Sequence, residues 1–598
     1  MSARPLLAAV AALLSAATLS ACAEKPKPLL LAPMVHGVDL CAAAEPSKAP
    51  GNEKELATYC RGAGRSPAAL IDASLAALGP PDSADGRYEL GYTMPVPLLA
   101  LFQRRDGAWT LDTAAIDRLA ATLRDSPRPA VLHLFSTHFG IGAPLEAQLA
   151  ADPANLAASP LGPMPRDRYF GIDIFPWSVA TTDNDITRHR RIAIEGFLAS
   201  VCRLPEADRR KVKAVTLLGE VHQFHADFER GMGLAQPYVV SDYSAASIEG
   251  FRGFLAARFG DIAALNRQIG ENFASFVEVE PPGLRPSTRP SQHIDSAAHG
   301  RLPLAGWAHA RSGSGPLWLR IYRDGVQIAR VRAGFGRQDV LQALPAIGTA
   351  DVGWRYDMDF TTLTPGEYRL DFLAERGDGA LASLGSRRIV VAGTVATPAA
   401  APAALPAAGT AEGIAGNIDH PADGARVIYN PLAPLWHEFR NRQVVEYLRY
   451  FEGVVRASCL ADVPLYTHQI APFVNPGWDA TRFAVDESLR GTGGLGLGIS
   501  LYGEATYGSS FFDWLDTTAH RRYVVTEFHP LRAMTAEEFA ATIERHHRRG
   551  AAFVSFFLDA RPREARDPAA DNMFSFDPGN ARFGSATLYE AVQELMRR

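Results

Sequence analysis

From about residue 87 onward, short runs rich in β-branched and aromatic residues alternate with amphipathic helical stretches. Consecutive parallel strands need a crossover long enough for a helix, so this order predicts a parallel sheet with helices packed outside it. Eight runs read as strands: 89–96 (ELGYTMPV), 130–135 (AVLHLF), 169–175 (YFGIDIF), 212–220 (VKAVTLLGE), 463–469 (VPLYTHQ), 496–502 (GLGISLY), 522–527 (RYVVTE) and 552–558 (AFVSFFL). Helices fit at 112–124, 186–201, 247–259 and 535–549, the last opened by Thr535 and Glu538 at capping-box spacing. Eight such strands predict an α/β fold, a closed (β/α)8 barrel, since most open doubly wound sheets have fewer.

The fourth and fifth runs lie too far apart for one crossover, and the excess has a different texture. Helical periodicity vanishes, and alternating runs appear at 304–310, 316–323, 326–333, 354–360, 367–375 and 387–393. Asp324-Gly325, Pro365-Gly366 and Asp378-Gly379 mark turns between them. The expectation is an inserted all-β, immunoglobulin-like sandwich over 283–393, followed by an Ala/Pro-rich linker over 394–412 whose composition cannot build a core. The barrel then occupies 87–282 and 413–598, behind an N-terminal segment over 22–86.

A charged start (Arg4), an apolar run over 6–19 and small residues before Cys22 predict a secretory leader over 1–21. The run is shorter than the roughly 20 apolar residues of a spanning helix. Leu19-Ser20-Ala21-Cys22 resembles a bacterial lipobox, which implies lipidation at Cys22, membrane anchoring through it and a place in the cell envelope. With 60 basic against 65 acidic residues and no basic block, nucleic acid is excluded as the main partner. The other four cysteines are too few for a disulfide scaffold but could pair after export. Cys202 and Cys459 end the helices before the fourth and fifth strands, at the bottom of the barrel, and Cys41 with Cys60 is the other natural pair.

Barrels of this kind carry reactive groups at the C-terminal ends of strands. Glu220 ends the fourth run and Glu527 the seventh. Two carboxylates at one apolar-walled mouth suit glycosidic cleavage, one as a protonated acid and one as an ionised group across the sugar. The structural alternative for each is a salt bridge at the barrel mouth.

The chain here resembles the retaining glycoside hydrolases of clan A, most nearly family 42, the β-galactosidase-like enzymes. The resemblance rests on Thr526-Glu527-Phe528, on Ser241-Asp242-Tyr243-Ser244, on Phe251 to Leu255 with Arg258 to Asn266, and on Trp436-His437-Glu438-Phe439 before Thr467-His468-Gln469. It covers roughly 87–282 and 413–598, and it implies Glu220 as acid/base, Glu527 as nucleophile, a carbohydrate substrate and no cofactor. Gly219 departs from the pattern, since the clan usually places Asn before the acid/base to bind the sugar 2-hydroxyl. A catalytically inactive glycan-binding barrel and an inverting glycosidase are the alternatives.

Other candidates surround this pair. Glu504 is the rival nucleophile, a subsite contact or a surface charge; Tyr502 is a hydrogen-bond donor to the nucleophile; Asp173 and Asp559 are hydroxyl binders or members of buried ion pairs. His138, His222, His225, His468 and His529 lie near strand ends without the HExxH spacing or a Cys cluster, so they read as polar lining and no metal site is expected. Trp177, Phe473, Trp478, Tyr507 and Trp514 are sugar platforms or rim packing. In the sandwich, Trp307, Trp318 and Trp354 are glycan contacts or core, the commoner case being core.

Overall fold

The computed structural model describes residues 27–43, 57–58, 60–136, 143–169, 172–223, 234, 238–284, 290–310, 317–392, 405, 413–472, 477–559 and 573–598. The leader with Cys22, the linker over 394–412 apart from Leu405, and His138, His225 and Phe473 lie outside the described residues.

The chain is mixed α/β. Strands β1 (Leu29–Leu31, resumed as Met34–His36), β2 (Tyr88–Leu90, resumed as Tyr92–Pro97), β3 (Ala130–Phe135), β4 (Val212–Leu218), β5 (Leu465–Tyr466), β6 (Leu497–Tyr502), β7 (Tyr523–His529) and β8 (Ala551–Val554, resumed as Phe557–Asp559) alternate with helices. These are α1 (Pro67–Leu78), α2 (Thr113–Asp125), α3 (Asp185–Cys202), α4 (Leu432–Arg456), α5 (Asp486–Arg490), α6 (Ser510–Asp516), α7 (Ala536–Arg548) and α8 (Ser585–Arg597). Each strand pairs in parallel with the next, β5 reaching β6 through the Tyr466–Gly496 and Gln469–Ile499 bridges, and β8 pairs with β1.

Local chemistry explains these elements. Strands buried on both faces must be apolar throughout, and AVLHLF and LGISLY each bury five of their six residues. Between β5 and β6 the backbones meet closely at Gly498, where a Cβ would stand 1.9 Å from the Thr467 carbonyl oxygen. Helix α2 starts at Asp112, whose side chain accepts the Ala115 N–H, and buries Ile116, Leu119 and Leu123 along one face. Helix α7 carries the full Thr535/Glu538 capping box.

Two sequence expectations need correction. The run 169–175 is not a strand of this succession: Asp167–Tyr169 and Ile172–Ile174 form an antiparallel pair of their own. Their polar positions explain it, because Asp173 pairs with Arg166 and Arg168 at 2.8 and 3.3 Å, while an inner parallel strand has no room for such charges. The N-terminal segment, in contrast, supplies β1, so the parallel set begins near residue 29 rather than 87. One strand added and one removed leave β4 and β7 with the same ordinals.

Between β4 and β5 in the chain stand two antiparallel sheets. One contains Phe335–Gly336, Asp351–Asp359, Arg301–Ala310 and Ile414–His420; the other contains Val326–Arg332, Trp318–Arg323, Gly366–Glu375 and Leu381–Val391, with Ala425–Val427 added in parallel. Leu319, Ile321, Trp354, Phe372 and Ile389 form a core between them, separate from that of the parallel strands. The strands at 414–420 and 425–427 extend this β region past its expected end at 393, and the second part of the parallel set begins at α4 instead of 413. The reason is a vacant ladder edge: Arg301–Ala310 pairs with Asp351–Asp359 on one side and with Ile414–His420 on the other.

Cys202, the last residue of α3, is bonded to Cys459 just beyond α4, with Cα atoms 5.7 Å apart, and Cys41 is bonded to Cys60 at 5.4 Å. Among the described residues, no helix is long and apolar enough to cross a membrane.

Candidate active site

Strand β4 ends on a sharp change of direction. Leu218 and Gly219 take φ values of 63° and 80°, both left-handed, and Glu220 follows them. A leucine there costs about 1–3 kcal/mol, so the surrounding structure must impose it. The left-handed backbone also accounts for glycine at 219, which adopts it without a Cβ penalty. Behind Glu220, the Gln469 amide donates to the Val221 carbonyl at 2.8 Å, and Gln223 N–H donates to the Phe483 carbonyl at 2.8 Å.

Glu527 lies within β7 and is approached from two neighbouring strands. The Tyr502 hydroxyl, at the end of β6, donates to Oε2 at 2.6 Å, and His468 Nε2, just past β5, lies 3.2 Å from Oε1. With both oxygens so engaged, Glu527 has the surroundings of a carboxylate. His468 is buried and stacks on His133 of β3 at 4.5 Å between centroids, and His133 Nδ1 lies 2.8 Å from the Thr216 hydroxyl of β4. Burial, reinforced by the neighbouring His468, holds the His133 pKa well below the ordinary histidine range, so it is a neutral imidazole.

Glu220, His468 and Glu527 each bring a ligand-type atom within 4.8 Å of the others. Burial raises the Glu220 carboxyl pKa well above the usual range, the negative charge of Glu527 raises it further, and the buried Ser500 hydroxyl pulls it back. The surroundings thus favour a protonated Glu220, the proton donor that acid-assisted displacement needs, facing Glu527 with its two oxygens beside Tyr502 and His468. The same three groups could hold a divalent cation, since one imidazole and two carboxylates are a common donor set.

The other candidates separate. His222 packs edge-on against Phe483 at 5.5 Å, and Phe483 stacks on Trp478 at 5.4 Å, so these three form a row beside the segment after Glu220. Glu504 is not part of the pair. Its buried carboxylate accepts the Ser509 N–H at 3.1 Å and the Ser510 hydroxyl, closing the turn that starts α6. Trp514 lies on α6 against Phe511, whose ring packs on Tyr523 at the beginning of β7. Asp173 is held in its arginine pairs. His529 is fully engaged, Nδ1 accepting the Leu531 N–H at 2.9 Å and Nε2 lying 3.0 Å from the Ser585 hydroxyl. In the sandwich, Trp354 is buried core and Trp318 is half-buried, with the Arg330 guanidinium over its ring at 4.1 Å.

Sequence reasoning missed His133, Ser500 and Phe483, and named Gln469 only as part of a motif. A lone polar residue at an inward position of an apolar strand was the available signal for the first two.

No protein-family model matches the sequence, and no curated protein does. Among solved structures, the fold is similar to a polyextremophilic β-galactosidase from the Antarctic haloarchaeon Halorubrum lacusprofundi (14% identity, 89% of this chain and 57% of that one, TM-score 0.44). It is also similar to a β-galactosidase from the psychrophilic Marinomonas ef1 (10%, 89% and 56%, TM-score 0.43) and to the catalytic domain of a β-amylase from Paenibacillus polymyxa (9%, 85% and 91%, TM-score 0.42). The chain spans somewhat more than half the length of the two β-galactosidases.

Proposed function

We propose that this chain is an exported, lipid-anchored glycoside hydrolase, a (β/α)8 barrel with an inserted sandwich, that cleaves an oligo- or polysaccharide with retention of configuration. A β-galactoside is the first substrate to try, given the resemblance to family 42. The observation that carries the reading is the approach of Glu220, just past β4, and Glu527, within β7, to within 4.8 Å, with burial raising the Glu220 pKa and Tyr502 and His468 beside the two Glu527 oxygens. Retaining pairs stand about 5–5.5 Å apart and inverting pairs about 6.5–9.5 Å, so the short approach favours retention.

In the first step a Glu527 oxygen attacks the anomeric carbon while Glu220 gives its proton to the departing glycosidic oxygen, leaving a glycosyl ester on Glu527. Glu220, now a carboxylate, takes a proton from water, whose oxygen displaces Glu527 and releases the sugar. Tyr502 and His468 orient Glu527 throughout. The two disulfides and the leader with its lipobox support export, since such bonds persist in oxidising compartments.

A panel of aryl glycosides and oligosaccharides tests the reading: the wild type should turn over at least one member, and Glu527→Gln none. A chelator should leave turnover unchanged; loss restored by a divalent cation would reassign Glu220, His468 and Glu527 as metal ligands. The second reading is a glycan-binding lipoprotein without turnover, favoured by Gly219 in place of the usual Asn. Binding without hydrolysis by the wild type would establish it.

A further inference from the structure

We propose that the sandwich holds the mouth of the site in shape, with Arg355 and Asp351 acting as positioning residues; this rests on the hydrolase reading above. The chain leaves the parallel set after β4, passes through the helices Ala245–Phe259 and Ile262–Ile269, builds the sandwich and returns through α4. Asp351 and Arg355 stand four residues apart on the strand Asp351–Asp359, and therefore on one face of it.

Arg355, itself mostly buried and paired with Asp357 at 2.9 Å, donates through Nη1 to the backbone carbonyl of Trp478. Trp478 stacks on Phe483, the Phe483 carbonyl receives the Gln223 N–H, and the Phe483 ring meets His222. His222 and Gln223 stand two and three residues past Glu220. One sandwich side chain is thus linked by consecutive packed contacts to the segment that carries the acid.

Asp351 reaches the other half. Its Oδ2 accepts the Tyr507 hydroxyl, and Arg332 of the same sandwich lies 3.4 Å from the Ser509 hydroxyl. Tyr507 is five residues beyond Tyr502, the donor to Glu527. From the outer side, Arg545 of α7 donates to the Tyr507 and Gly508 carbonyls at 3.0 Å each, and the Arg532 guanidinium covers the Tyr507 ring at 4.4 Å. The 503–510 segment is therefore gripped between α7 and the sandwich. An attachment seam needs only apolar burial, whereas these contacts are directional, charge-assisted bonds to the two segments that support the carboxylates.

The test uses the full chain with Asp351→Ala, Asp351→Asn, Tyr507→Phe, Arg355→Ala and the Asp351→Ala/Tyr507→Phe double variant. Kinetics on the best panel substrate are read beside hydrogen exchange over 477–483 and 503–510. Asp351→Ala and Tyr507→Phe should each lower kcat by about 10- to 100-fold, the scale of a displacement of about 1 Å. The double variant should be no worse than either single one, because both remove the same bond. Asp351→Asn keeps an acceptor for the Tyr507 hydroxyl and should restore most of kcat. Arg355→Ala should chiefly raise KM and speed exchange over 477–483. Variants that fold, keep wild-type exchange in both segments and keep kcat and KM would overturn the proposal, as would additive losses in the double variant. If the wild type cleaves nothing, the hydrolase reading fails by itself, and exchange over the two segments alone decides whether the sandwich holds them.

Discussion

Burial raises the Glu220 carboxyl pKa, and the negative charge of Glu527 raises it further. On the basic side, kcat/KM should therefore fall as pH rises through the Glu220 pKa, because the proton donor is lost there. Glu527→Gln removes the second cause, so Glu220 should titrate at lower pH in that variant; a site-resolved carboxyl titration reads it, and an unchanged value would leave burial as the whole cause. The same shift bears on stability. A folded-state pKa raised above the unfolded one gives stability that is full below the unfolded pKa and lost as pH rises through the folded one. Glu220→Gln stays neutral at every pH, so its Tm should exceed that of the wild type above the Glu220 pKa and approach it in acid. That Glu220 and Glu527 come together was legible, because both follow apolar runs that were read as strands of one parallel set. The bonds of Glu504 to Ser509 and Ser510 and the packing of Trp514 on Phe511 were not readable, because proximity to a strand end in sequence does not say which way a side chain faces. His133 escaped notice because one histidine inside AVLHLF reads as a satisfied core residue.

At the scale of elements, the Cys202–Cys459 bond joins the ends of the helices that precede β4 and β5, across 257 residues that include the whole sandwich. Replacing both cysteines by serine should lower unfolding stability by about 2–4 kcal/mol, measured by denaturant titration under oxidising conditions, with the gap closing once reductant is added. An equal stability of the two proteins before reduction would mean that the bond adds no constraint. The helices and most strands were readable from apolar periodicity and caps. Strand β1 was not, because LLLAPMV sits close behind the leader and is broken by Pro33, and 169–175 misled because its alternation fits a hairpin as well as a barrel strand. The strands at 414–427 were hidden by the Ala/Pro-rich stretch before them, which reads as an exit from the β region.

For the whole molecule, lipidation at Cys22 predicts that the wild type partitions into the detergent phase while Cys22→Ala stays in the aqueous one. Equal partitioning of the two would leave an ordinary secretion signal. All the parallel strands but β1 were legible, because their apolar runs are separated by stretches long enough for a crossover. The contacts of the sandwich with the segments after β5 and β6 were not, because they join Arg355 to Trp478 and Asp351 to Tyr507 across more than 100 residues with no local pattern to mark them.

The stereochemistry of azide rescue tests the roles of Glu220 and Glu527 most directly. With an aryl glycoside whose leaving group needs little protonation, Glu220→Ala should still form the glycosyl ester on Glu527, and added azide should release a glycosyl azide of retained configuration. Glu527→Ala should be rescued by azide only as the inverted product, formed in a single displacement. Retained product from Glu527→Ala, or inverted product from Glu220→Ala, would contradict the assignment of nucleophile and acid/base.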